Sequence, residues 1–131
     1  MCYVISIGCL YVPLSQNLAF PPNLKNLTLS GCRVSSRNMF LVGNLPNLEV
    51  LKLKEVAFED NAWKTEGKFS QLKLLQVEAS DLEIWEAEAA HFSSLQYLCL
   101  RGCSYLKCTP LELEKFRLFS ISYCMDVQSL L

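Results

Sequence analysis

The side chains best equipped for chemistry are Cys99-x3-Cys103-x4-Cys108 and the single histidine, His91. Thiolates at such intervals suggest zinc, but a structural zinc site needs four ligands and draws them from paired clusters. No second cluster is present. Cys99 and Cys103 also lie four residues apart around a strand end, one expected outward and the other inward. His91 sits beside Phe92 with no Ser or Cys at a recognisable nucleophile elbow, so a general-base role lacks its partner. Glu83, Glu86 and Glu88 read as the solvated acidic face of a helix. The five glycines are isolated, so no loop of them cradles a phosphate. These residue types, so spaced, point away from catalysis, metal binding and nucleotide binding.

A different set of residues recurs. Leu95, Leu98, Leu100 and Cys103 spell L-x-x-L-x-L-x-x-C, and the same phrase returns along the chain. Leu24, Leu27, Leu29 and Cys32 give one copy, and Leu48, Leu51, Leu53 and Val56 the next. Leu72, Leu75, Val77 and Ser80 give a third, and Phe116, Phe119, Ile121 and Cys124 the last. The first anchors stand at 24, 48, 72, 95 and 116, so the steps are 24, 24, 23 and 21. This period and this phrase predict a leucine-rich-repeat solenoid of α/β class. A curved parallel β-sheet would form its concave side, with short helices and loops on the convex side. L-x-L is strand alternation, with the apolar pair inward and the intervening residues outward. The Cys position takes a small side chain that hydrogen-bonds the backbone as it leaves the strand. One coil cannot bury its apolar face alone, so coils stack.

Length suits one domain, with residues 13–131 forming about five repeats. Residues 1–12 match poorly and leave two readings open. One is a signal peptide, which lacks the usual basic residue before its apolar run. The preferred one is a degenerate repeat, in which Cys2, Ile5, Ile7 and Leu10 fit the phrase with a step of 22 to Leu24. The apolar opening is too short to cross a bilayer, so no membrane-spanning segment is expected. Hydrophobic residues make up 51% and charged residues 19%, an apolar balance for a free-standing domain. Neither end reads as a polar cap, so the chain is expected to be part of something longer. A formal charge of −1 and dispersed basic residues argue against nucleic-acid binding. Three of the seven cysteines occupy the repeat position, and free, reduced, cytosolic thiols are expected.

Between the phrases lie the returns. Pro21-Pro22 is expected to lead in an extended form into the first clear strand. Ser35 or Ser36 would cap a helix through Val42 that Gly43 ends. In the second return Asp60 is a candidate cap and Gly67 a stop. The third, Asp81–Ala90, has the best helix propensity. Trp63 and Trp85 are expected to pack on the convex side. Leu45, Phe69, Phe92 and Leu113 each precede an anchor by three and would tie the returns to the strands.

The outward positions follow each anchor by two, four and six residues and should line the concave face. Val50, Leu74, Tyr97 and Leu118 make an apolar file there, which suggests a protein partner or a covering domain. Lys54, Glu78 and Arg101 make a file of alternating charge, expected to pair with one another. Lys52, Gln76 and Cys99 lie between the two. These ten residues are the candidate protein-binding site.

Phe20-Pro-Pro-Asn-Leu-Lys-Asn-Leu-Thr-Leu-Ser30, Leu45-Pro-Asn-Leu-Glu-Val-Leu-Lys-Leu53 and His91-Phe-Ser-Ser-Leu-Gln-Tyr-Leu-Cys-Leu-Arg-Gly-Cys103 resemble the C-terminal repeats of plant intracellular immune receptors. Those are coiled-coil, nucleotide-binding, leucine-rich-repeat proteins. The stretch Ala57-Phe58-Glu59 to Trp63 resembles the nightshade group that includes late blight resistance proteins. The resemblance covers roughly residues 13–127. It implies a cytoplasmic, non-catalytic module for recognition and autoinhibition in the defense response. Its partners would be the nucleotide-binding domain of the parent receptor, a pathogen effector or a guarded host protein. ADP or ATP would bind a nucleotide-binding domain, and this chain carries no phosphate-binding loop, so no cofactor is expected in it. Two rivals share the repeat. The substrate receptor of an F-box ubiquitin ligase would bring an upstream F-box segment. An extracellular leucine-rich-repeat receptor would bring L-x-G-x-I-P and paired terminal cysteines.

Overall fold

A computed structural model of the chain describes residues 4–10, 12–15 and 19–107. Its main sheet contains β1 (Val4–Gly8), β2 (Asn26–Ser30), β4 (Val50–Lys54), β7 (Leu74–Glu78) and β9 (Tyr97–Arg101). Three of the repeat phrases that follow Leu24 thus each supply a five-residue strand beside β2, and β1 joins the edge. The strands lie in the order β1-β2-β4-β7-β9, every neighbour parallel. Parallel neighbours require a crossover between them, which each return segment supplies.

Register holds from strand to strand. Ile5, Leu27, Leu51, Leu75 and Leu98 face one another in one file, and Ile7, Leu29, Leu53, Val77 and Leu100 in a second. From Leu27 onward every member of both files is buried. Leu24, Leu48, Leu72 and Leu95 are buried with them, as are Cys32, Val56, Ser80 and Cys103. The backbone repeats as faithfully. The carbonyls of Lys25, Glu49 and Lys73 each accept two N–H groups from the start of the next strand, at 2.8–3.0 Å. Directly past each of β2, β4, β7 and β9 one residue takes a left-handed conformation: Gly31, Glu55, Ala79 and Gly102, with φ of 64, 53, 53 and 65°. Before each strand, the N–H of Leu24, Leu72 and Leu95 is closed by the carbonyl of Pro21, Phe69 and Phe92 respectively. Pro21-Pro22 therefore forms a turn rather than a simple extended lead.

The core lies between this sheet and the returns, which contribute Val34, Met39, Val42, Phe58, Trp63, Phe69, Leu82, Trp85 and Phe92. The first return contains β3 (Arg33–Val34) and α1 (Ser36–Gly43), capped by Ser35. Ser35 Oγ accepts from the Asn38 N–H at 3.1 Å, while Asn38 Oδ1 accepts from the Ser35 N–H at 2.9 Å. Asn38 is itself buried, and its Nδ2 donates to Ser15 O at 3.0 Å, which fastens the helix to the preceding return.

The second and third returns depart from the helices expected of them. The second forms β5 (Ala57–Phe58), a single 3-10 turn at Glu59–Asn61, and β6 (Ala62–Lys64). Asp60 lies inside that turn with φ 56° and caps nothing. The third forms β8 (Ile84–Glu86) and a 3-10 turn at Ala89–Phe92. Neighbouring returns satisfy each other's backbone instead: β3 pairs with β5 and β6 with β8, both parallel. Glu83 N–H donates to Asn61 O and Thr65 N–H to Glu86 O, each at 2.8 Å. A helix over 81–90 would turn those groups inward on itself and strand their partners. It would also break the stack of Trp63 on Trp85, whose ring centroids lie 5.3 Å apart and 6° from parallel. Tertiary pairing overrides the helix propensity of the third return.

Cys9 and Cys32 form a disulfide with a Cα–Cα distance of 4.8 Å, against the expectation of reduced thiols. Cys9 leaves β1 one residue earlier than Cys32 leaves β2, and Cys9 N–H donates to Ser30 O at 3.0 Å. That offset lets the two side chains converge from adjacent strands. Phe116, Phe119, Ile121, Cys124, Leu113 and Cys108 lie outside the described residues.

Candidate protein-binding face

The outward side chains of the main sheet also form files. Val4, Asn26, Val50, Leu74 and Tyr97 make the first, Ser6, Thr28, Lys52, Gln76 and Cys99 the second, and Gly8, Ser30, Lys54, Glu78 and Arg101 the third. All nine described members of the sequence-derived site therefore share one face of one sheet. The tenth, Leu118, lies outside the described residues.

Val50 and Leu74 are half-buried, and Tyr97 is 46% exposed. They make an apolar strip across three strands. Val4, 59% exposed, belongs to the same file but is separated from it by Asn26. Nothing in the poorly matching opening marked Val4 beforehand. Its only signal was the fit of Ile5 and Ile7 to the phrase. Cys99 departs from expectation: its register sets it beside Gln76, yet it is 7% exposed and offers a partner almost no surface.

The charged file also differs from its reading. Glu78 stands in register with Lys54, but among the described residues no ion pair joins them. Glu78 Oε2 instead accepts from Gln76 Nε2 of its own strand at 2.9 Å. An ion pair forms instead at the opposite end of these strands, between Lys73 and Glu49 at 3.7 Å, one position after each anchor. Both partners are well exposed, and such pairs contribute little.

The remaining candidates are occupied structurally. His91 Nδ1 accepts from the Glu88 N–H at 2.9 Å and so closes a turn. Glu83 and Glu86 belong to or adjoin β8, so the acidic helix face does not exist. Glu83 Oε2 accepts from Asn61 Nδ2 at 2.9 Å, and its Oε1 pairs with Lys107 at 3.1 Å. The Asn61 hydrogen bond, followed by that of Lys107 and its charge, holds the Glu83 carboxyl below the usual carboxylate range. Cys103 Sγ faces the carbonyl oxygens of Val77 and Arg101 at 3.5 and 3.6 Å, the turn-closing place given to that position. Among the described residues no three His, Cys, Asp or Glu gather to hold a metal ion, and no helix is long and apolar enough to cross a membrane.

One groove of about 500 Å³ opens among the returns, bordered by Arg33, Ser35, Asn38, Asp60, Asn61 and Asp81. Several of its polar groups are already engaged within the fold. Ser35 and Asn38 serve the helix cap, and Asp81 Oδ1 accepts from the Phe58 N–H at 3.1 Å. The sheet face, whose apolar strip serves no interior contact of this kind, is the better candidate site.

No protein-family model matches the chain. Among curated proteins it is similar to late blight resistance protein R1-A of Solanum demissum, 37% identical over 111 residues, or 80% of this chain. Two late blight resistance protein homologs of the same species are 44% and 41% identical over 92 residues, or 68% of the chain. The chain spans a small part of these relatives, 9% of the first and 7% of each of the others. Identity at this level, over most of the chain and against several members, assigns the chain to the R1-like plant resistance proteins.

Proposed function

We propose that this chain is a leucine-rich-repeat solenoid that serves a plant disease-resistance protein as a non-catalytic protein-recognition and autoinhibitory module. It works in the cytoplasm, senses an effector or a guarded host protein, and contacts the nucleotide-binding domain of its parent receptor. Residues 13–131 are its repeat domain and residues 1–12 a degenerate first repeat. Nucleotide is bound elsewhere in the parent protein. One observation carries this reading: Val50, Leu74 and Tyr97 stand in register on the outward face of a parallel sheet whose strands recur with the sequence phrase. A contiguous apolar strip on an outer surface costs solubility and is kept where a partner covers it.

The test replaces Leu74 and Tyr97 with Asp in the parent receptor and measures binding of its nucleotide-binding domain and its signalling output. Weakened binding and ligand-independent signalling, with unchanged circular dichroism of the repeat domain, are the expected results. Unaltered binding and signalling would overturn the assignment of this face.

One observation favours a second reading, an extracellular repeat receptor. Disulfides are rare in the cytosol, and Cys9 is bonded to Cys32. Trapping thiols by alkylation in plant tissue and mapping them at Cys9 and Cys32 separates the two. Alkylated residues support the cytoplasmic reading, and a protected pair supports the extracellular one.

A further inference from the structure

The outward face carries a charge bias that the chain as a whole lacks. Its formal charge is −1 overall. The described outward files nonetheless hold three cations, Lys52, Lys54 and Arg101, and a single carboxylate, Glu78. That carboxylate is drawn along its own strand by Gln76 Nε2 at 2.9 Å, away from Lys54 on the next strand. The described ion pairs, Lys73 with Glu49 and Lys107 with Glu83, involve neither Lys52 nor Lys54. Both lysines are half-buried. Partial burial strengthens whatever charge interaction a partner offers them, because less water screens it.

Position adds to charge. Val50, Lys52 and Lys54 alternate along β4, so their side chains leave the same face about 6.6 Å apart. Leu74 flanks Val50 on the neighbouring strand. The face thus presents an apolar step followed by two cations at the spacing of an extended chain. Resting on the protein-binding reading of this face, we infer that its partner contributes an extended acidic segment. In that segment an apolar side chain lies against Val50 and Leu74, and carboxylates two and four residues further on meet Lys52 and Lys54. Gln76 is a positioning residue in this scheme, since it keeps Glu78 from neutralising Lys54. The apolar step beside the lysines sets this face apart from a nucleic-acid site, which would present more cations and no aliphatic strip.

The experiment uses the 131-residue chain and short fluorescent peptides with Leu-x-Glu-x-Glu repeats. Controls carry Gln in place of Glu, and a single-stranded oligonucleotide of equal charge serves as a polyanion. Polarisation should report binding of the Glu peptide about tenfold tighter than that of the Gln peptide, with the difference shrinking as salt rises. Lys52→Gln/Lys54→Gln should erase that difference without altering circular dichroism. Gln76→Leu should narrow it by releasing Glu78 toward Lys54. Equal affinity for Glu and Gln peptides that both Leu74→Asp and Tyr97→Asp abolish would overturn the acidic partner and leave the protein-binding face standing. Absence of binding to any peptide would overturn the inference, as would an oligonucleotide that binds as tightly as the Glu peptide.

Discussion

Gly43 and Gly67 meet back to back. A Cβ added to Gly67 would stand 2.5 Å from Gly43 Cα, and one added to Gly43 would stand 2.7 Å from Gly67 Cα. Phe69 N–H donates to Gly43 O at 2.8 Å across the same contact, so the two returns touch backbone to backbone. Neither glycine has a positive φ; the requirement is space. The sequence offers both as helix stops, and only Gly43 ends a helix. Gly67→Ala should destabilise the chain by about 1–3 kcal/mol, the usual range for overpacking. Urea unfolding measures it, and an unchanged midpoint would contradict the contact.

The left-handed residue after each strand gives a prediction of opposite sign. Glu55 and Ala79 hold φ of 53° with a Cβ in place, where Gly31 and Gly102 hold the same turn without one. A Cβ in that conformation costs about 1–2 kcal/mol. Ala79→Gly should therefore raise stability by about 1 kcal/mol despite the added chain entropy of Gly. Gly102→Ala should lower it, since its Cβ would also meet Ala79 N at 3.3 Å. Thermal melts of the two variants should move in opposite directions.

The strands were legible because register and burial follow a local alternation that the sequence repeats. Leu27, Leu51, Leu75 and Leu98 could occupy equivalent places only if the chain returned to a parallel neighbour each time. The returns obey no such local rule. Leu82 and Trp85 sit three apart, as a helix face would have them, yet Trp85 stacks on Trp63 from an extended segment whose hydrogen bonds belong to the return before it. Long-range partners made that choice, and helix propensity is blind to them. Which side chains share the outward face was readable from the sequence because alternation decides direction. The reading failed at Cys99, where direction did not translate into exposure. It failed again at Glu78, where a neighbour two residues away captured the carboxylate before a charge on the next strand could.

Glu83 makes stability depend on acid. Its folded-state carboxyl lies below the usual carboxylate range, chiefly through the Asn61 hydrogen bond and then through Lys107. The unfolded chain therefore binds this proton more readily than the folded one. The contribution is complete above the ordinary carboxylate range and disappears as pH falls through the lowered folded value. Glu83→Gln should flatten that part of the acid limb and leave stability near neutrality little changed, because the group is exposed and well screened. Urea midpoints taken across the acid range for both proteins provide the check. Parallel curves would exclude Glu83 as their source.

Trp85 tests the alternative to a helix in the third return. Its ring is 1% exposed, lies flat on Trp63 and meets Phe92 edge-on at 5.9 Å. Its Nε1 donates to the buried Thr65 Oγ1 at 3.1 Å. Trp85→Ala removes the ring and leaves a cavity, at a cost of about 3–5 kcal/mol. Thr65→Val keeps the volume and removes only the acceptor, leaving a buried N–H unsatisfied at about 1–3 kcal/mol. The two losses should not add, because the hydroxyl has no work once the indole is gone. A near-ultraviolet circular dichroism couplet from the paired indoles should vanish in Trp85→Ala and persist in Thr65→Val. Were the third return a helix in solution, the couplet would be absent from the parent chain, and the Thr65 variant would behave as an ordinary surface change.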